Sequence, residues 1–339
     1  MQTRLTHLLG IEHPVMLAGM GGVSYAPLVA AVSQAGGFGC LGASTMSPDR
    51  MVDEIRQVKA VTDRPFGVDL LTAMPGGLED QVKLLIDEGA KVFVAGLGVP
   101  AAVVELCHDA GVLVVSMCGK VDHARKAVAA GCDLVVAQGT EAGGHTGQVA
   151  TMPLVPQVVD AVGDKVPVVA AGGIFDGRGL AAALALGADG VWVGTRFIAT
   201  PEARAVRGYK EALLATGEDG TVVSRAYSGK TMRVVRNEYT AYFEQHPDEL
   251  QPFPVQLGRS SGDGAFHLGD GPDDQGVDPS RECYPAGQGI GAIEELVPAG
   301  ALVLRFVELA EDVLGRLGAE PAVAEPAVAE PAVAEPAGR

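Results

Sequence analysis

Leu134-Val135-Val136-Ala137-Gln138-Gly139-Thr140-Glu141-Ala142-Gly143-Gly144-His145-Thr146-Gly147 carries an apolar run straight into a turn with four glycines and several polar or ionisable side chains. The apolar part is of strand length, and a strand that ends among glycines lets the backbone approach a ligand closely. His145 stands out in the turn, because histidine is the side chain whose unperturbed pKa lies nearest neutrality.

The same unit recurs on both sides. From residue 14 to about residue 195 a short β-branched run, a turn containing glycine and a helical pattern ending near glycine follow one another repeatedly. Strands are predicted at 14–18, 38–41, 66–70, 91–95, 112–117, 134–137, 168–171 and 190–194. Helical patterns between them include 26–34, 49–61, 81–88, 101–109, 122–130 and 178–186. Ser47-Pro48-Asp49 reads as a helix start, a capping residue followed by proline in the first turn. Strand then helix, repeated, means parallel pairing, and near-continuously apolar strands fit a parallel sheet covered on both faces. Eight such units close an α/β fold of the (β/α)8 TIM barrel type, with an open doubly wound sheet as the runner-up.

The rhythm breaks after Thr195. Residues 201–299 hold helical pieces at 205–216 and 237–245, then a stretch dense in Gly, Asp, Ser and Pro from 258 to 279. An amphipathic helix of ordinary length returns only at 301–317. The expected organisation is a barrel built from 1–200 and 300–317, with 201–299 inserted between the last strand and the closing helix as a cap over the barrel mouth. The end repeats Glu-Pro-Ala-Val-Ala in five-residue steps, and proline at that spacing prevents a continuous helix. Residues 318–339 are therefore expected to form a disordered, solvated tail.

Of the 339 residues, 25 are Lys or Arg and 42 are Asp or Glu. That balance argues against nucleic acid or an anionic membrane surface as the main partner, while a small anionic cofactor can still bind locally. No run resembles a signal peptide or approaches a membrane span, so a soluble, cytoplasmic protein is expected. The five cysteines include no C-x-x-C pair and read as reduced packing residues. The histidines form no H-x-x-x-H or H-E-x-x-H pattern, so no metal site is expected.

In such a barrel the functional groups lie at the C-terminal ends of strands. Strand seven ends in Gly172-Gly173 and strand eight in Gly194-Thr195. Together these four residues resemble the phosphate cradle that barrels build there from backbone N–H groups and a helix N-terminus. Gly96-Leu97-Gly98-Val99-Pro100-Ala101 matches a dinucleotide pattern formally, but the next predicted strand ends in Cys118-Gly119-Lys120 without the acidic residue the pattern needs. His145, in a glycine turn at the functional end, is the candidate catalytic residue. Glu141 reads either as a second acid or as a prop for the turn.

These residues resemble the nitronate monooxygenases. The resemblance rests on Met20 with its glycines, Gln138 followed by Glu141-Ala142-Gly143-Gly144-His145, Ala170-Ala171-Gly172-Gly173-Ile174 with Asp176-Gly177-Arg178-Gly179, Gly194-Thr195-Arg196-Phe197, and Ala286-Gly287-Gln288-Gly289. It covers about residues 4 to 317. It implies an FMN across the barrel mouth, with its phosphate at Gly172, Gly173, Gly194 and Thr195. The ring and ribityl chain would lie near Met20, Gly21, Asp69, Gln138 and Gly143, and the Gln288 region would fold back over the site. The implied reaction is oxidation of alkyl nitronates by dioxygen to carbonyl compounds and nitrite. FMN-dependent reductases of the same fold share the glycine-histidine turn, so an NAD(P)H reductase acting on an enoyl thioester or a quinone is the alternative. The expected partners are a small-molecule substrate and dioxygen, with a homodimer as an open option. Relatives commonly carry Asn where this chain has Asp69, which leaves the redox tuning open.

Overall fold

A strand that is apolar at every position must be covered on both faces, and the strands of this chain are. The structure is a computed structural model that describes residues 1–72, 77–96, 98–267 and 276–318. Among the described residues the strands, in chain order, are β1 (Val15–Leu17), β2 (Gly39–Gly42), β3 (Phe66–Leu71), β4 (Val92–Gly96), β5 (Leu113–Cys118), β6 (Leu134–Gln138), β7 (Gly144–His145), β8 (Val168–Ala171), β9 (Gly190–Val193), β10 (Thr221–Ser224) and β11 (Met232–Val235). Eight of them form one parallel sheet in the order β1-β9-β8-β6-β5-β4-β3-β2. A parallel bridge between Met16 and Phe38 joins its two edges, with Phe38 N donating to Val15 O at 2.9 Å and Leu17 N to Phe38 O at 2.8 Å. The sheet is thus a closed (β/α)8 TIM barrel, and the open doubly wound alternative is excluded.

Alternate residues of each strand feed two separate cores. Met16, Phe38, Cys40, Val94, Val115, Val136, Val169 and Trp192 point into the barrel interior. Val15, Leu17, Leu41, Val68, Val114, Val135, Val168 and Val191 pack outward under the helices. The short helix Arg4–Leu9 adds Leu5 and Leu9 to the interior cluster. A Cβ at Gly190 would lie 2.5 Å from Leu5 Cδ2, which places that helix against the starting ends of the strands as a plug. Truncating Leu5, which is fully buried, is expected to cost about 2–5 kcal/mol.

The same alternation decides what reaches the other end of the barrel. Continuing the inward phase gives Ala18, Gly42, Asp69, Gln138 and Ala171, with Gly194 just beyond β9. Register agrees, since Gly42 pairs with Asp69, Asp69 with Val94, and Gln138 with Ala171.

Helix Ala299–Gly318 completes the outer ring between helices Gly177–Ala185 and Ala26–Gln34. It crosses the first so closely that a Cβ at Gly177 would lie 2.3 Å from Phe306 O. Between β9 and this helix run helix Arg207–Ala215, the antiparallel hairpin β10–β11, helix Glu238–Gln245 and helix Val255–Gly262. The hairpin and the last of these helices fall where the sequence pattern suggested neither. Tyr227, Met232, Val234, Tyr239, Phe243, Ala265 and Cys283 give this part of the chain a small core of its own. All five cysteines are free and buried. Of the proposed tail, residues 319–339 lie outside the described residues, as do Leu97 and residues 268–275 of the polar stretch.

Candidate active site

The turn after β6 is fixed from several directions. Gln138 Nε2 donates to His145 O at 2.7 Å, and Thr146 Oγ1 donates to Gly139 O at 3.0 Å. The Glu141 carboxylate accepts from Thr151 N at 2.9 and 3.0 Å and from Thr151 Oγ1 at 2.9 Å. Glu141 therefore ties the turn to the first residue of helix Thr151–Val162, where a negative charge also complements the helix dipole. Of the two readings of Glu141, the geometry supports the prop.

The other anchor comes from the inserted segment. β7 pairs antiparallel with β11, with Met232 opposite His145 and Arg233 opposite Gly144. The buried guanidinium of Arg233 donates to Thr140 O at 2.9 Å and to Thr221 Oγ1 at 3.2 Å. His145 Nε2 lies 3.0 Å from Ser228 Oγ. Burial lowers the His145 pKa, and the charge of Lys230 lowers it further, so its imidazole is neutral at neutral pH. Ser228 and Lys230 flank Gly229, whose φ of +81° makes the tight turn between them. Lys230 Nζ sits 4.3 Å over the Phe253 ring.

His145 faces a cavity of about 1720 Å³ at the C-terminal mouth of the barrel. Met20, Gly21, Asp69, Gln138, Gly143, Gly172, Gly173, Gly194 and Thr195 line the same cavity, so the structure gathers nearly all of the sequence-derived candidates into one place. Gly172 and Gly173 adopt φ of +106° and +70°, a conformation that glycine takes without strain. Among the described residues, no protein acceptor takes the backbone N–H groups of Gly173, Ile174, Thr195 or Arg196. Thr45 Oγ1, a buried atom of a residue lining the same cavity, has no hydrogen-bond partner. Free donors, an unsatisfied hydroxyl and glycines that keep the cradle open are what a phosphate-bearing cofactor requires.

The late segment closes over the turn. Gly287 N donates to Thr195 Oγ1 at 2.9 Å, and Gln288 N donates to Glu141 O at 2.9 Å. A Cβ at Gly143 would fall 2.8 Å from the Ala286 carbonyl carbon, so the two backbones are in direct contact. Gly287 and Gly289 line the main cavity. Gln288 is exposed and instead borders an adjoining cleft of about 340 Å³ beside Glu141 and Gly173.

Asp69 forms part of the cavity floor. It is 8% exposed, and burial pushes its carboxyl up to about 8. A Cβ at Gly19 would lie 2.2 Å from Asp69 Cβ, so only glycine lets the β1 turn close on this side chain.

The sequence matches the nitronate monooxygenase family over residues 2–81 and 71–308. The chain belongs to that family. Nitronate monooxygenase family membership makes it an enzyme of the oxidoreductase class. A Mycobacterium tuberculosis relative, (3aS,4S,5R,7aS)-5-hydroxy-7a-methyl-1-oxo-octahydro-1H-indene-4-carboxyl-CoA dehydrogenase, is 46% identical over 245 residues, covering 72% of this chain and 69% of its own. FabK from Thermotoga maritima is similar in structure, with a TM-score of 0.84 at 35% identity, covering 94% of this chain and 98% of its own. Nitroalkane oxidase from Streptomyces ansochromogenes gives a TM-score of 0.82 at 31% identity, covering 93% and 100%. Among the described residues, no group of three His, Cys, Asp or Glu side chains is placed to hold a metal ion, and no helix is long and apolar enough to cross a membrane.

Ser228 and Lys230 escaped the sequence reading. Ser228 lies outside any G-x-S-x-G pattern, and its contact with His145 spans 83 positions. The only local signal is Gly229 between two polar residues, which marks a turn and nothing more.

Proposed function

We propose that this protein is an FMN-dependent oxidoreductase that uses dioxygen to oxidise alkyl nitronates to carbonyl compounds and nitrite. The observation that carries the reading is a half-buried His145, its pKa held down by burial and by Lys230 and its ring beside Ser228, in one cavity with a glycine cradle and a lysine. Gly172, Gly173, Gly194 and Thr195 would hold the cofactor phosphate. Met20, Gly21, Asp69, Gln138 and Gly143 would face its ring and ribityl chain, and the strap around Gln288 would cover it. Bound FMN would supply the electron chemistry, while the chain orients the reactants.

The residues divide the remaining work. A neutral imidazole accepts a proton, so His145 acts as base on a neutral nitroalkane. Lys230 supplies positive charge near it for the nitronate anion. Segment 201–299 acts as the cap that shields the site from water. Anaerobic mixing with a nitronate tests the assignment: the flavin absorbance should bleach, and admission of oxygen should yield nitrite and a carbonyl compound. Bleaching by NADH or NADPH but not by nitronates would overturn it.

A second reading is favoured by the cavity itself. About 1720 Å³ exceeds the range of about 300–1,000 Å³ usual for small-ligand pockets. Its described lining carries Lys120, Lys126, Arg196, Arg204 and Lys230 against only two carboxylates, Asp69 and Glu282, in a chain with 42 acidic and 25 basic residues. Such a lining suits a bulky anionic substrate, such as the acyl-CoA thioester in the name of the Mycobacterium tuberculosis relative, or a nicotinamide dinucleotide. The NADH and NADPH arms of the same experiment, with a thioester as second substrate, test it.

A further inference from the structure

The carboxyl group of Asp69 is in an unusual position for an acid. It lies in the inward phase of β3, between Gly42 on β2 and Val94 on β4, and neither neighbour offers it a polar partner. The Gly19 turn closes on one side, and Gly96 brings backbone close on another, a Cβ there falling 3.7 Å from Asp69 Oδ1. Among the described residues no donor reaches the carboxyl group, although it borders the large cavity. An isolated carboxylate so buried is costly, and protonation removes the cost.

We propose that Asp69 is held as a neutral carboxylic acid on the cavity floor and donates its O–H to the flavin bound there. The proposal rests on the FMN reading above and adds a donor whose availability depends on pH. The charges around it are few. Burial pushes Asp69 upward. Its titratable neighbour is Cys40 on β2, one step down the interior, whose thiol is driven up by burial and by Asp69 and so stays neutral. Neither β4 nor the Gly19 turn presents a charged group. At neutral pH, Asp69 therefore presents the ring with a hydrogen-bond donor. At higher pH it becomes a carboxylate beside a ring that gains negative charge on reduction. Each two-electron reduction, with electrons supplied by the substrate, then draws one proton from solvent onto Asp69.

The test is the flavin midpoint potential of the FMN-loaded protein from about pH 6 to about pH 10, for wild type and Asp69→Asn. Wild type should show, above the Asp69 transition, an extra tenfold change in the reduction equilibrium per pH unit, about 30 mV for a two-electron couple. Asp69→Asn should lack it. Parallel curves for the two proteins would overturn the proposal. An infrared titration of wild type without cofactor gives an independent reading. A protonated-carboxyl band that is present at neutral pH and lost in Asp69→Asn supports the proposal, and a carboxyl that ionises in the ordinary range overturns it. Failure to bind FMN would sink the cofactor reading, while the infrared result would still decide the state of Asp69.

Discussion

His145 Nε2 sits 3.0 Å from Ser228 Oγ, so the histidine on the turn after β6 is held by a residue 83 positions further along the chain. Replacing Ser228 with Ala removes that hold without opening the barrel. Turnover is expected to fall about tenfold, equivalent to about 1.4 kcal/mol, with FMN content unchanged. Steady-state kinetics normalised to flavin absorbance checks this, and loss of flavin instead would show that Ser228 supports the cofactor.

Lys230 is one of the causes that hold the His145 pKa down. Lys230→Met removes its charge, so His145 should become easier to protonate. If the neutral imidazole is the base, the acidic limb of kcat/KM for a neutral nitroalkane should move to higher pH. A limb that stays in place would assign it to another group.

His145→Ala should leave FMN bound and lower turnover of a neutral nitroalkane by about 10²–10⁴-fold. The loss should be smaller with a preformed nitronate, which needs no base. Equal losses with both substrates would point to anion binding as the role of this side chain.

Gly194 tests the cradle without testing the fold. A Cβ there meets Met20 Sδ at 3.4 Å and Ala18 Cβ at 3.5 Å, ordinary contact distances. Gly194→Ala should therefore keep the unfolding midpoint of the cofactor-free protein near that of wild type. If the cradle holds the FMN phosphate as proposed, its FMN affinity should fall about tenfold or more. Titration of the apoprotein with FMN, followed by fluorescence, separates the two effects.

Asp69 links stability to pH in a direction opposite to most carboxylates. Its pKa is raised from 3.8 to about 8, so between those values the folded chain keeps a proton that the unfolded chain releases. Stability contributed by that proton is fully present at low pH and is lost as pH rises across this window. The cofactor-free Asp69→Asn variant should therefore gain stability relative to wild type between about pH 5 and about pH 9, by about a few kcal/mol in urea denaturation. A constant difference between the two proteins would contradict the raised pKa.

How much of this was legible depends on what each residue touches. The eight barrel strands announce themselves because both faces are buried, as at Val135 and Val136, which serve opposite cores from adjacent positions. The hairpin β10–β11 does not. Its second strand carries Arg233, which reads as a surface residue until Thr140 O and Thr221 Oγ1 are seen to satisfy it. The turn at Gly172 and Gly173 was legible because positive φ is a property of glycine itself. The partner of His145 was not, since pairing across 83 positions leaves no local pattern. The state of Asp69 was equally hidden, because it follows from burial between Gly19 and Gly96 rather than from the identity of its sequence neighbours.

The two-residue strand β7 gives His145 a divided ownership. Its backbone belongs to the barrel turn, yet Met232 opposite it and Ser228 at its ring belong to the inserted segment. Exchange of that segment between relatives, in evolution or in a chimera, would thus re-aim the histidine unless the Met232 register travelled with it. The aim of this imidazole is thus set by two distant stretches of the chain at once.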